Sequence, residues 1–160
     1  MIKDIKKQVS LLINTSFKQI TELGSMTIII VFAIILIFLN KELAKRTILG
    51  IIGVVIISYS IKMIFFKNRP IRQSTDTLIE KIDASSFPSV HAARITVITF
   101  WLIIYFNNTY FRAFTIFIWM IVIYSRVYLK KHYWIDVIGG AIISLIINTI
   151  IHVSIFGSEL

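Results

Sequence analysis

Apolar residues gather in five long runs, roughly 23–39, 47–66, 88–106, 110–125 and 134–156. Each approaches the ~20 residues that a helix needs to cross the hydrocarbon of a bilayer. None alternates with the period of a strand, and none is cut by an internal proline. Backbone polar groups in hydrocarbon must be satisfied within their own segment, so these runs predict helices. Residues 1–20 are patterned differently. Ile2, Ile5, Val9, Leu12, Ile13, Phe17 and Ile20 recur at helical spacing, with Lys3, Lys6, Lys7, Asn14 and Lys18 between them. This predicts an amphipathic helix over 1–22 lying in the membrane interface, ahead of a transmembrane bundle over 23–156. A short, imperfect first span is the alternative. The expected fold is an all-α integral-membrane helical bundle of five to six helices, forming one domain over 1–160.

The polar connections sort by face. Residues 67–87 form the one long connection and should cap a membrane face. Residues 126–133 leave on the same side if the spans alternate, and Asn107-Asn108 and residues 39–45 belong to the opposite side. Gly50 and Gly53, and Gly139-Gly140-Ala141 with Ser144, offer small surfaces for close helix packing.

Composition narrows the function. With 160 residues, 57% hydrophobic, and mean hydropathy of +0.84, the chain is too apolar for a single soluble core. It has no cysteine, which excludes disulfides, thiolate zinc sites and cysteine nucleophiles. A net charge of +9 suits anionic headgroups or phosphate rather than nucleic acid, since no soluble basic domain is present to read a duplex. Met1-Ile2-Lys3-Asp4 leads into no removable signal segment, so the whole chain is expected to be mature.

Ionisable residues at the edges of apolar runs are costly, on the order of 2.5–3.5 kcal/mol at mid-bilayer, and so mark sites or wet cavities. They fall here in three clusters on one face. Lys62 and Arg69, followed by Pro70, are seven apart, two turns of a helix if it continues that far. Lys67 and Arg72 read as side chains snorkelling to the headgroups. Phe87-Pro88-Ser89-Val90-His91 follows, with the proline suited to a first helical position. The amides of Ser89, Val90 and His91 would then lack intrahelical acceptors and form an anion site with the helix dipole. In the third, Ser125-Arg126 precedes His132 and Asp136. His132 and Asp136 are four apart, which on a helix sets carboxylate beside imidazole and leaves one ring nitrogen as a nucleophile. Arg126 needs a bend to return to the same cavity. Arg94, a turn after His91, reads as snorkelling or as contacting a second phosphate or a headgroup, and His152 as a helix-packing residue.

Together these residues resemble the type 2 phosphatidic acid phosphatase superfamily, lipid phosphate phosphatases that share an active site with vanadium haloperoxidases. The family pattern is Lys, six residues, Arg-Pro; then Pro-Ser-Gly-His; then Ser-Arg, five residues, His, three residues, Asp. Lys62 to Arg69-Pro70 matches the first part, and Ser125-Arg126 to His132 to Asp136 the third. The middle part departs once, with Val90 in place of glycine. The resemblance implies His132 as the group that attacks phosphorus to give a phosphohistidine, oriented by Asp136. It implies His91 as the acid that protonates the leaving oxygen and then activates water. Lys62, Arg69, Ser89, the Val90 amide and Arg126 would hold the phosphoryl oxygens. No metal and no cofactor is implied.

The reading is a metal-independent lipid phosphatase of the cell membrane, with membrane lipids as surroundings, a lipid phosphate as substrate and no nucleic-acid partner. Polyprenyl diphosphate of the undecaprenyl or dolichyl type is the first substrate expectation. Phosphatidate or phosphatidylglycerol phosphate is the alternative, and a non-catalytic lipid-binding or transport protein a second. Oligomeric state is not legible. Basic residues outside the motifs crowd the active-site face, which by the positive-inside rule would put it in the cytoplasm; the resemblance favours the outer face.

Overall fold

The computed structural model describes residues 2–71 and 77–157. Arg72, and the stretch Gln73-Ser74-Thr75-Asp76, lie outside the described residues. The chain forms α1 (Ile2–Thr21), a single 3-10 turn (Glu22–Gly24), α2 (Met26–Leu39), α3 (Lys41–Ile64), the short α4 (Leu78–Ala84), α5 (Val90–Tyr105), α6 (Thr109–Tyr128) and α7 (Trp134–Phe156). No strand occurs among the described residues. This is an all-α membrane bundle.

Capping residues set the boundaries. Asn40 accepts from the Leu43 amide at 2.8 Å and starts α3 six residues before its apolar run. Asn108 caps α6 through the Phe111 amide at 3.0 Å, and Thr77 and Glu80 close a capping box on α4. Ser89, not Pro88, stands at the start of α5: its hydroxyl accepts from Ala92 N. The proline therefore precedes the cap instead of occupying the first helical position.

Three helices, α3, α6 and α7, are long and apolar enough to cross a membrane on their own. The two remaining runs are shorter helices. At a rise of about 1.5 Å per residue, the 14 residues of α2 and the 16 of α5 reach less than a bilayer core. α2 begins only after the turn at Glu22–Gly24, and it makes one apolar path with α1 across a 51° bend. The amphipathic α1 lays Phe17 against Tyr124 and Tyr128 of α6, with ring centroids 5.6 and 4.4 Å apart. On the same helix Ile20 packs against the core, whereas Ile5, Val9, Leu12 and Ile13 are exposed.

α5 is short because it is central: it packs on α3, α6 and α7, and nearly every residue from Val90 to Thr99 is buried. One core cluster joins α2, α3 and α5 around Ile29, Leu43, Val54, Val97 and Trp101. A second joins α5, α6 and α7 around Ala92, Val122 and Val137. Outward faces carry Ile52, Ile56, Phe114, Phe117, Ile142 and Ile146 exposed, as lipid-facing surfaces require. Inside, the Trp101 indole donates to Asn148 Oδ1 at 2.8 Å, and Asn148 donates to the Ser144 carbonyl at 2.7 Å. His152 meets Trp101 edge-on at 5.9 Å.

Gly50 and Gly53 press α3 onto this polar core. A Cβ at Gly50 would strike Asn148 Oδ1 and come within 2.8 Å of Val97 Cγ1, whereas at Gly53 it would meet one Ile147 methyl at 3.0 Å. Gly50→Ala is expected to cost about 1–3 kcal/mol by overpacking, and Gly53→Ala less. Thermal midpoints of the purified proteins in detergent check this; a Gly50→Ala protein as stable as the parent would mean that α3 and α7 are not in close contact.

Candidate active site

The three polar clusters open onto one cavity of about 730 Å³ at one end of the bundle. Lys62, Arg69, Val90, His91, Arg126 and His132 all line it, together with Arg94, Tyr59, Asp83 and Lys131. The bend needed between Arg126 and His132 is a curl at the end of α6. Lys130 takes φ of 53°, and the Lys131 and His132 amides both return to the Arg126 carbonyl, at 3.1 and 3.2 Å. A left-handed residue just past the last turn is a common way to end a helix.

His132 thus lies in a loop, since α7 begins at Trp134. The helical four-residue relation to Asp136 does not exist, and among the described residues the hydrogen bonds of the carboxylate go to Lys67, Ser86 and the Tyr133 amide, not to the ring. His132 Nδ1 faces the Ser86 carbonyl at 2.8 Å. A carbonyl only accepts, so Nδ1 carries the proton and the Nε2 lone pair is left for chemistry. Asp136 acts one step back. It is fully buried, with Oδ1 2.5 Å from Lys67 Nζ and Oδ2 accepting from the Ser86 hydroxyl at 2.5 Å and the Tyr133 amide at 2.8 Å. Lys67 therefore pairs with the buried carboxylate and lies over the Tyr133 ring at 5.0 Å instead of snorkelling. Burial, with the charges of Arg126, Arg69 and Lys62, pushes the His132 imidazole down to about 2. The ring is neutral and its lone pair available throughout the physiological range.

The cations are held by backbone. Lys62 Nζ, in the last turn of α3, donates to the Ser85 carbonyl at 2.6 Å and reaches the Asp83 carbonyl at 3.3 Å. α3 ends at Ile64, so Arg69 is not two helical turns on; it sits in the extended loop and donates to the same Asp83 carbonyl. Arg126 donates to Thr21 Oγ1 at 2.9 Å, which ties the end of α1 to the site. Arg94 is buried, not snorkelling: Nη1 meets Met26 Sδ and Nη2 meets His91 Nδ1, each at 3.3 Å. A guanidinium cannot accept, so this ring nitrogen does. With Nδ1 accepting, His91 carries a proton on Nε2. Among the described residues, Arg69, Arg94 and Arg126 each keep a buried Nε–H without a protein acceptor.

The start of α5 completes the cup. Ser89 is fully buried; its amide donates to the Asp136 carbonyl at 2.9 Å and its hydroxyl caps the helix, so it braces the site rather than lining the cavity. Val90 is the first helical residue and has no positive φ, so the conformation does not require glycine there. The Val90 and His91 amides belong to the first turn, where N–H groups have no intrahelical acceptor. Gly140 lets α7 approach: a Cβ there would strike the Ser89 carbonyl, and one at Gly139 the Phe87 ring. These glycines pack helices, and what they pack is the site. Among the described residues no three His, Cys, Asp or Glu side chains gather where they could share a cation.

A bundle with this cationic cup matches a known family: the PAP2 superfamily, over residues 43–159, and the chain belongs to it. It is a membrane-embedded lipid phosphatase. Undecaprenyl-diphosphatase BcrC of Bacillus subtilis is 27% identical over 133 residues, spanning 81% of this chain and 68% of the relative. The crystal structure of Aquifex aeolicus LpxE superposes with a TM-score of 0.73 at 25% identity, covering 87% of this chain and 84% of that one.

The neutral, buried His132 has a consequence for stability. The unfolded chain takes up a proton near the ordinary imidazole value of about 6.5, whereas the folded chain does not until far lower pH. This residue therefore makes stability fall as pH drops below that value, by up to about 1.4 kcal/mol per unit. Thermal midpoints in detergent should decline from about pH 7.5 to about pH 5.5, and the decline should be shallower in His132→Gln. An equal decline in both proteins would mean that the ring is not held neutral.

Proposed function

We propose that the protein releases phosphate from a polyprenyl diphosphate by way of a phosphohistidine on His132. The observation that carries the reading is the Nδ1 hydrogen bond of His132 to the Ser86 carbonyl, which turns the Nε2 lone pair into a nucleophile beside Lys62, Arg69 and Arg126. In the first step Nε2 bonds to the terminal phosphorus, and the bond to the bridging oxygen breaks with its electron pair. The three cations, with the first amides of α5, neutralise charge on the equatorial oxygens, where phosphoryl transfer needs it most. Water then attacks the phosphohistidine, and the P–N electron pair returns to the ring.

Asp136 holds Ser86 and Lys67, and through them the ring. The name of the Bacillus subtilis relative supports an undecaprenyl-type diphosphate as substrate, and the apolar outward faces suit a lipid whose tail remains in the bilayer. Phosphatidate and phosphatidylglycerol phosphate are the competing substrates for a side-by-side assay.

Prenyl diphosphate labelled in its terminal phosphate, mixed with protein and quenched in alkali, should leave label on the chain in an acid-labile bond. His132→Ala should abolish the label and lower phosphate release by at least about a thousandfold, and excess chelator should leave release unchanged. Turnover that survives the substitution, or stops with chelator, would overturn the mechanism.

A further inference from the structure

One wall of the site comes from residues that precede the stretch matched to the family, 43–159. It is the elbow between α1 and α2. Thr21, at the end of α1, accepts from Arg126 Nη1 at 2.9 Å. Gly24 lies against the first turn of α5: a Cβ there would come within 3.2 Å of His91 Cδ2 and 3.3 Å of the His91 carbonyl. Met26, the first residue of α2, lines the cavity, with its sulfur 3.3 Å from Arg94 Nη1.

The contact between Thr21 and Arg126 joins positions 105 apart in the chain, and each residue is only 3% exposed. Thr21 stands at the head of the 3-10 turn, where a threonine hydroxyl commonly accepts from a backbone amide of the turn. It makes no such bond. The hydroxyl is committed to the guanidinium instead, and it is held firmly. Ile20 packs into the core cluster of α5, α6 and α7, and Phe17 lies against Tyr124 and Tyr128 of α6. Arg126 is fixed from its other side through the backbone, since its carbonyl takes the amides of Lys131 and His132 at 3.1 and 3.2 Å. A guanidinium is a planar fork of N–H donors on a long, flexible stem. Tying Nη1 to a rigid acceptor settles the plane of that fork, and the buried Nε–H, which has no protein acceptor, is left for an anion. Arg126 thus carries the nucleophile loop on its backbone and an unused donor on its side chain. Thr21 sets the second relative to the first.

We infer that Thr21 is a positioning residue for phosphoryl transfer: its hydroxyl orients the Arg126 guanidinium toward the phosphoryl oxygens as His132 attacks. Thr21 acts through Arg126 and does not itself touch the transferred group. The inference rests on the phosphohistidine mechanism proposed above and adds to it a group from outside the matched residues. An Arg126 released from Thr21 still brings its charge to the cavity, so ground-state binding of the substrate survives. Its fork must then be ordered during the reaction itself, and the loss falls on kcat more than on KM.

The test follows the single-turnover rate of phosphohistidine formation from prenyl diphosphate labelled in its terminal phosphate. It compares the parent, Thr21→Val, Thr21→Ala, Thr21→Ser, Arg126→Gln, and Thr21→Val combined with Arg126→Gln. Such a rate constant does not depend on how much of each preparation is folded. Thr21→Val and Thr21→Ala both remove the acceptor, the first with side-chain volume kept. Each should slow labelling about 10- to 100-fold, the size of a hydrogen bond to a charged group, with KM for turnover little changed. Thr21→Ser keeps the hydroxyl and should retain most of the parent rate. In the Arg126→Gln background Thr21→Val should cost nothing further, because the group it positions is gone. Acceptor-free variants that label at the parent rate, with or without lower thermal midpoints, would overturn the inference. So would a Thr21→Ser protein as slow as Thr21→Val, or losses that add in the double variant. A parent that forms no phosphohistidine would instead overturn the proposed function itself.

Discussion

Asp136 is fully buried, and its two oxygens are shared by segments far apart in the chain: Lys67 after α3, Ser86 before α5 and the Tyr133 amide at the head of α7. A buried charge left without partners costs several kcal/mol, so these segments are drawn to one point. The rest of the cup follows. Ser86, fixed by its hydroxyl, presents its carbonyl to His132 Nδ1, and the backbone on its N-terminal side, through Ser85 and Asp83, receives Lys62 and Arg69. The carboxylate is thus linked to His132, Lys62 and Arg69 through the Ser86 segment and not by hydrogen bonds of its own.

The bilayer explains why this arrangement sits where it does. Charged groups are excluded from the hydrocarbon and from lipid-facing surfaces, so they collect at the polar end of the bundle, inside it. α5 delivers its first turn there because it is surrounded by protein on every side and does not have to match the membrane thickness. Gly139 and Gly140 allow α7 to approach that turn closely enough for the Ser89 amide to bond to the Asp136 carbonyl.

Much of this was legible from spacing. Apolar runs gave the helices because hydrocarbon permits little else, and three polar clusters on alternating spans had to share a face. Lengths were less legible: 88–106 looked like a span, but its helix starts at the Ser89 cap and is buried in the bundle, a tertiary fact that apolar composition alone does not carry. The motif residues His91, His132, Arg126, Lys62 and Arg69 line one cavity. The link between His132 and Asp136 was misread, because four-residue spacing implies contact only on a helix and the ring lies in the loop before one. Lys67 and Arg94 looked like snorkelling cations because a lone base at the end of an apolar run usually is one. Their partners, Asp136 and His91, come from other helices or from an unexpected neighbour contact. Ser86 carried no signal at all; a serine in a polar loop becomes informative only when a buried carboxylate is found beside it.

The central claim is that the Asp136 and Lys67 pair orients His132 as one unit. The most direct measurement is the rate of phosphohistidine formation in Lys67→Met, Asp136→Asn and the double variant, alongside their thermal midpoints. The account predicts that each single change lowers both quantities and that the double variant is no worse than Asp136→Asn alone, as expected for groups that act together. Losses that simply add, or an Asp136→Asn protein that forms the intermediate at the parent rate, would contradict it.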